Sequence, residues 1–593
     1  MPARPTARPD FVHSLPVPVR FAQAGRQARL WMSGAVCAAV LTLACVPQGA
    51  SAQDIGADAG AYLAIRAAQR DNNFSAVSDY ALRALISDPE NVDLLEAATT
   101  AALIAGNWDD AVQLATRLGA LLPDNQAANM VLLAQEFREQ NYDALTGDLT
   151  TGVGVSPLVN GLLGAWAELG KGDMSAALDG FDAVSDGPGL GAFGLYHKAL
   201  ALAQVGDFES AADILESPEL PPTRHGAIAL AQVLSQLERN EDAIAMLDTV
   251  FGRDLPPGLL TLRTRLEAGE LIPFDSVATP VQGASEVFFS VASALEGELD
   301  DAYALLYVRL AQYLDPTMID AQLLSADLLS RLGNAQLAID AYALIPVDAP
   351  TYPMAALGQA DALRAAGDDA GALEVLRALV ASHPALSIAQ VELGDALRRE
   401  EDYAGAVSAY TDALATFETE TSNEWFIHFA RGISYERLDD WPKAEADFRR
   451  ALELQPGQPQ VLNYMGYSFL EMKTNYDEAM EMIRGAVAAR PDDGYITDSL
   501  AWGLFRLGRY DEALPPMERA ALLMPSDPII NDHFGDVLWA VGRTREARFQ
   551  WRRAISFEPE PEELERIRKK LDVGLDRVLI DEGEEPTRPL SDG

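Results

Sequence analysis

Eight residues in the carboxy-terminal third of this chain have the types and spacing of a recognition surface. They are Asn463 and Tyr467, then Tyr495, Asp498 and Trp502, then Asp532, Asp536 and Trp539. Each group surrounds one small residue (Gly466, Ala501, Gly535), and these lie 35 and 34 positions apart. Tyr and Trp offer large, rigid contact area, and Asn and Asp add hydrogen bonds, which is the chemistry of binding. Aromatic residues in helical repeats also serve as packing, and that alternative stands beside the first. Catalysis has no comparable pattern. Phosphate loops, dinucleotide turns, H-E-x-x-H and G-x-S-x-G motifs are all missing from the sequence. The histidines (His13, His197, His225, His383, His428, His533) are scattered, with no pair at metal-ligand spacing. Both cysteines, Cys37 and Cys45, fall within the first 52 residues, so a chain cut after Ala52 has no thiol and no disulfide. The expectation is a protein that is not an enzyme and that uses no cofactor and no metal.

The elements that position such residues are written in a period. Alanine recurs at Ala302, Ala338, Ala372, Ala406, Ala444, Ala479, Ala513 and Ala547. Four residues after each stands a larger apolar side chain: Leu306, Tyr342, Leu376, Tyr410, Phe448, Ile483, Met517 and Trp551. The last four copies add a second alanine (Ala451, Ala486, Ala520, Ala554) and then a proline (Pro456, Pro491, Pro525, Pro559). Small and large residues at these intervals share one helix face, where the small one admits a neighbouring helix and the large one fills the space beside it. Proline ends the unit because it cannot continue the helix. Turn signals precede the alanines, as at Gly508 and Gly542. Val77, Ala111, Leu145, Ala177, Ala211 and Ala243 continue the phase, more weakly, toward the amino terminus. The 59 residues from Ala243 to Ala302 exceed one unit, and the stretch 271–284 within them holds two prolines and little helical character.

These motifs resemble the tetratricopeptide repeat family over residues 60–560, most closely from Ser285 onward. The resemblance implies an all-α, right-handed solenoid of roughly 14–15 helical hairpins with a carboxy-terminal capping helix. The expected organisation is a signal peptide at 1–52 and a degenerate arm at 53–270. A joint at 271–284, about which two arms flex, leads to a second arm at 285–560. A capping helix at 561–580 and a disordered tail at 581–593 complete it. The segments 462–467, 491–502 and 530–543 are similar to a narrower group, long envelope proteins of Gram-negative bacteria that are often lipoproteins. One type in that group is an adaptor docking a periplasmic processing protease. That likeness implies a non-enzymatic adaptor holding a protein partner, possible classes being a periplasmic protease and an envelope assembly factor. A purely structural scaffold is the rival reading, and an enzyme acting on an envelope polymer a remote one.

Charge narrows the partners. The chain has 45 basic and 89 acidic side chains, a formal charge of −44, which excludes nucleic acid as a general partner. The first 52 residues run the other way, with five arginines, one aspartate, an apolar run over 34–46 and Ala50-Ser51-Ala52. That order is expected of a secretory signal and places the mature protein in the periplasm. The run is too short for a transmembrane segment. Cys45 after Leu43-Ala44 is a weak lipoprotein signal, with Thr42 where leucine is wanted, so a lipid anchor there, or a cytoplasmic location if the leader is unused, are the alternatives. A second cluster, Arg543, Arg545, Arg548, Arg552, Arg553, Arg566, Arg568, Lys569 and Lys570, reads either as a dock for an acidic partner or as part of the polar cap.

Overall fold

The computed structural model describes residues 59–587 apart from 253, 254, 256, 299, 418 and 420. The leader, with Cys37, Cys45 and the Ala52 boundary, lies outside the described residues, as do the last six residues of the tail. Among the described residues there are thirty-one α-helices and no strand. Consecutive helices pair as antiparallel hairpins, and the chain divides into two compact units at Leu379/Val380.

The alanine marker does what its size allows. Ala338, Ala372, Ala406, Ala444, Ala479, Ala513 and Ala547 are buried, as are the large residues from Tyr342 through Trp551. Val77, Ala111, Leu145, Ala177, Ala211 and Ala243 are buried too. Tyr410, Phe448, Ile483 and Trp551 each meet a glycine on the first helix of the hairpin, at Gly394, Gly432, Gly466 and Gly535. A Cβ added at Gly535 would stand 2.3 Å from the Trp551 indole, so only glycine admits that ring. Gly508 (φ +71°) and Gly542 (φ +91°) make the left-handed turns between helices.

Ala302 and Leu306 depart from this phase, being only half-buried. Helix Asp301–Leu314 buries Ala304, Leu305, Tyr307, Val308, Leu310 and Ala311 instead, on nearly its whole circumference. The reason is its setting. With helix Pro280–Leu295 it forms a hairpin that folds back over the first helices of earlier repeats. Asp301–Leu314 packs on Val92–Ala105 and Gln126–Arg138, and Pro280–Leu295 packs on Gln126–Arg138, Pro157–Gly170 and Gly191–Gln204. Polar contacts stitch it down: Gln126 Nε2 donates to the Tyr303 hydroxyl at 2.8 Å, and Arg138 Nη1 donates to the Tyr313 carbonyl at 3.1 Å. Gly283 presses on Trp166, whose ring lies 2.3 Å from where a Cβ would be.

The expected joint at 271–284 is likewise tied in. Ile272 N–H donates to Ser235 Oγ at 2.8 Å, and Gln232 Oε1 accepts from Asp275 N, Ser276 N and Ser276 Oγ at 3.2, 3.1 and 2.7 Å. The stretch is therefore a strap along helix Arg224–Gln236. Residues 285–379, expected in the second arm, belong to the same compact unit as the amino-terminal repeats.

The unit from Val380 onward holds five hairpins, from Ser387–Arg399 with Tyr403–Ala415 to Pro528–Ala540 with Thr544–Ile555, then helices Pro561–Val573 and Leu575–Asp581. Residues 582–587, expected to be disordered, run back along the unit: Glu584 pairs with Lys473 at 2.7 Å, and Thr587 N donates to Asp576 at 2.7 Å.

Candidate binding surfaces

The eight residues singled out from the sequence occupy the first helices of three successive hairpins, Pro459–Glu471, Gly494–Arg506 and Pro528–Ala540. Most are engaged inside the protein. Asp498 accepts a bond from His533 Nδ1 at 3.0 Å, and His533 stacks on Trp502 with ring centroids 3.9 Å apart. Burial depresses the His533 pKa, but the Asp498 carboxylate more than offsets it and the net shift is upward. Asp532 and Asp536 both accept from Lys570 Nζ at 2.7 Å, and Asp536 also accepts from Trp551 Nε1 at 2.9 Å. Asp536 and Lys570 are fully buried, and burial raises the Asp536 pKa against the pull of the ammonium. Trp539 Nε1 donates to Asp576 at 2.8 Å. Asn463 is buried.

Four of the set keep accessible surface, and of these Asp532 and Trp539 are half-buried and bonded as above. Tyr467 is half-buried, and Tyr495 is exposed, its hydroxyl donating to Asp527 at 3.1 Å. His533 and Lys570, which the spacing gave no reason to select, hold the network together. Lys570 lies 34 positions from Asp536, one repeat away, and that interval is the signal that could have linked them.

A larger opening lies in the amino-terminal unit. A cavity of about 1030 Å³ is lined by Phe193, Leu230, Met246, Phe289 and Leu324, with Pro221 and Pro222 nearby. One wall carries a charged cluster. His225 faces Glu286 at 3.2 Å through Nδ1 and Asp320 at 2.9 Å through Nε2, and Arg224 pairs with Asp320 at 2.7 Å. Phe289 stacks on the imidazole at 4.5 Å. Burial works against the charged ring, yet Glu286 and Asp320 carry the His225 pKa up to about 10, so it is an imidazolium at neutral pH. Next to it, Tyr196 donates to Glu286 at 2.9 Å. His197 is fully buried, which lowers its pKa to about 4 against the pull of Glu286, and it accepts from Trp166 Nε1 at 3.2 Å. The sequence concealed this cluster because Glu286 and Asp320 lie 61 and 95 positions from His225 and reach it only through the fold-back hairpin and the helix after it.

Comparison with known proteins agrees with the repeat architecture. Residues 390–558 and 354–385 match tetratricopeptide repeat family models. A TPR repeat-containing protein of Pseudomonas aeruginosa is 33% identical over 81 residues, which is 14% of each chain. A lipoprotein NlpI homolog of Haemophilus influenzae is 36% identical over 78 residues, 13% of this chain and 24% of that one. The matched regions thus span less than a quarter of either relative. Among solved structures, the APC/C hetero-tetramer Cut9–Hcn1 is 14% identical with a TM-score of 0.35, covering 87% of this chain and 96% of that one. Yeast Tom70 is 12% identical with a TM-score of 0.35, covering 87% and 95%. Residues 354–385 and 390–558 are thus tetratricopeptide repeats, and the match supports a protein-interaction scaffold.

Proposed function

We propose that this tetratricopeptide repeat protein is an exported, non-enzymatic adaptor of the cell envelope that captures a segment of a partner protein. The 1030 Å³ cavity between the repeat helices and the fold-back hairpin carries the reading, because it is a concave, largely apolar space with a charged wall. An apolar segment of the partner enters it, beside the charged wall formed by His225, Glu286 and Asp320. Tyr467 and Tyr495 form a secondary contact on the carboxy-terminal unit. The leader pattern over residues 1–52 and the likeness to an envelope lipoprotein support the location. A periplasmic protease or an envelope assembly factor is the partner class that this location suggests. Among the described residues no helix is long and apolar enough to cross a membrane.

Affinity capture from the native envelope, with mass spectrometry of the bait terminus and its companions, tests this. Ser293 is exposed at the cavity wall, so Ser293→Trp obstructs the space without touching the core. A terminus at Gln53 and one dominant partner lost on Ser293→Trp are the expected results. An uncleaved bait carrying cytosolic proteins sinks the export reading. Capture that survives Ser293→Trp but fails on Tyr467→Ala with Tyr495→Ala moves the site to the other unit. Capture indifferent to all three favours a scaffold without a discrete site.

A further inference from the structure

Seven of the nine basic residues between Arg543 and Lys570 fall into two sets with different work, Arg568 and Lys569 lying outside both. Arg543, Arg566 and Lys570 are committed internally: Arg543 spans Glu518 and Glu546, Arg566 reaches Glu582 at 2.8 Å, and Lys570 closes on Asp532 and Asp536. Helix Thr544–Ile555 is different. None of its four arginines, Arg545, Arg548, Arg552 and Arg553, has a carboxylate partner among the described residues. Arg548 and Arg553 donate only to the backbone carbonyls of Leu571 and Pro525, which leaves their charge uncompensated. The equivalent helices of the two preceding repeats, Tyr476–Ala489 and Tyr510–Leu523, each carry three carboxylates and one arginine. The sign of the outer face reverses at this helix.

A second anomaly coincides with the first. Phe549 is 63% exposed, at the position filled by Ala446, Glu481 and Pro515 in earlier repeats. Arg545 precedes it by four residues and Arg552 follows by three, so the three side chains share one exposed stripe, cation–aromatic–cation. A guanidinium fork matches a carboxylate in bidentate geometry, and an aromatic anchor ringed by charge is the composition of an interface centre.

We propose that the outer face of helix Thr544–Ile555 is a docking surface for a short acidic polypeptide segment, independent of the cavity. Phe549 packs on an apolar side chain of that segment, and Arg545 and Arg552 take carboxylates one turn to either side. Charge complementarity selects this occupant. A short segment meets only the basic stripe, whereas an anionic bilayer would also face the rest of a chain whose formal charge is −44.

The test is fluorescence anisotropy of the full-length chain with the fluorescein-labelled peptide Glu-Glu-Leu-Glu-Glu-Leu-Glu-Glu. Saturable binding is expected, weakened about tenfold or more by Arg545→Glu/Arg552→Glu and about threefold by Phe549→Ala, and lost as salt is raised. The double variant Arg484→Glu/Arg519→Glu changes net charge equally and should bind as the parent does. Circular dichroism melts of every variant should coincide. Equal binding by parent and Arg545→Glu/Arg552→Glu overturns the proposal. So does Phe549-dependent sedimentation with phosphatidylglycerol vesicles in the absence of peptide binding, or Arg545-dependent self-association of the chain in its place.

Discussion

At the scale of single residues, Lys570 is the ion that the carboxy-terminal unit cannot lose. Its ammonium is fully enclosed and lies 2.7 Å from two aspartates, one of them equally buried. Removing one member of a buried pair leaves the other uncompensated, so Lys570→Met should destabilise this unit by about 3–5 kcal/mol. Urea unfolding followed by helical circular dichroism measures it, and adding Asp536→Asn to that variant should recover part of the loss. His225 makes the complementary case for pH. Its folded pKa, about 10, stands above the ordinary 6.5, so its contribution is fully present below about pH 6.5 and is lost as pH rises through about 10. The midpoint of thermal unfolding should fall across that window in the parent and lose this slope in His225→Gln. Trp502 was a binding candidate by type, but stacked on His533 and Phe505 it is a packing residue first. Trp502→Ala should therefore cost stability, about 3–5 kcal/mol, before it costs any partner.

At the scale of elements, the small residues decide which helices can approach. Gly283 lets the fold-back helix lie against Trp166, and its would-be Cβ falls 2.3 Å from a ring that is itself fully buried. Gly283→Ala is expected to destabilise by about 1–3 kcal/mol through overpacking. Gly485, exposed on helix Tyr476–Ala489 with nothing closer than 3.5 Å to an added Cβ, should behave oppositely. Gly485→Ala there gains about 0.5–1 kcal/mol from helix propensity. Chemical denaturation of both variants against the parent provides the comparison, and equal shifts of one sign would contradict the contact geometry.

At the scale of the whole molecule, the fold-back hairpin makes the amino-terminal repeats depend on residues far along the chain. Without Pro280–Leu295 and Asp301–Leu314, the faces around Trp166 and His197 would lie open to water. A fragment covering 59–379 should fold as a cooperative, monomeric helical protein. One covering 59–270 should aggregate or bind hydrophobic dyes, because a large apolar surface has lost its cover. Sedimentation velocity and dye fluorescence distinguish them. Comparable behaviour of the two fragments would mean that the hairpin is an accessory to the repeats and not part of their core.

The residues that local helical geometry controls were legible without a structure. An alanine and a large residue four positions later share a helix face whatever surrounds them, so the repeat period, the hairpins and nearly every buried marker follow from sequence alone. The net charge and the leader pattern are likewise properties of composition. Ala302 and Leu306 mark where this reasoning stops. They obey the local rule, yet their helix is buried on nearly all sides because the chain turns back on itself there. Contacts across 61, 95 and 177 positions, such as His225 with Glu286 and Asp320 or Gln126 with Tyr303, have no periodic signature. The same holds for inward polar residues: Asp498 and Asp536 have the types of a binding face, and only tertiary packing decided that His533 and Lys570 would reach them first. Helix phase depends on neighbours three and four residues away and can be read along the chain. Which surfaces stay open depends on where distant segments come to rest, and that is fixed only when the whole unit packs.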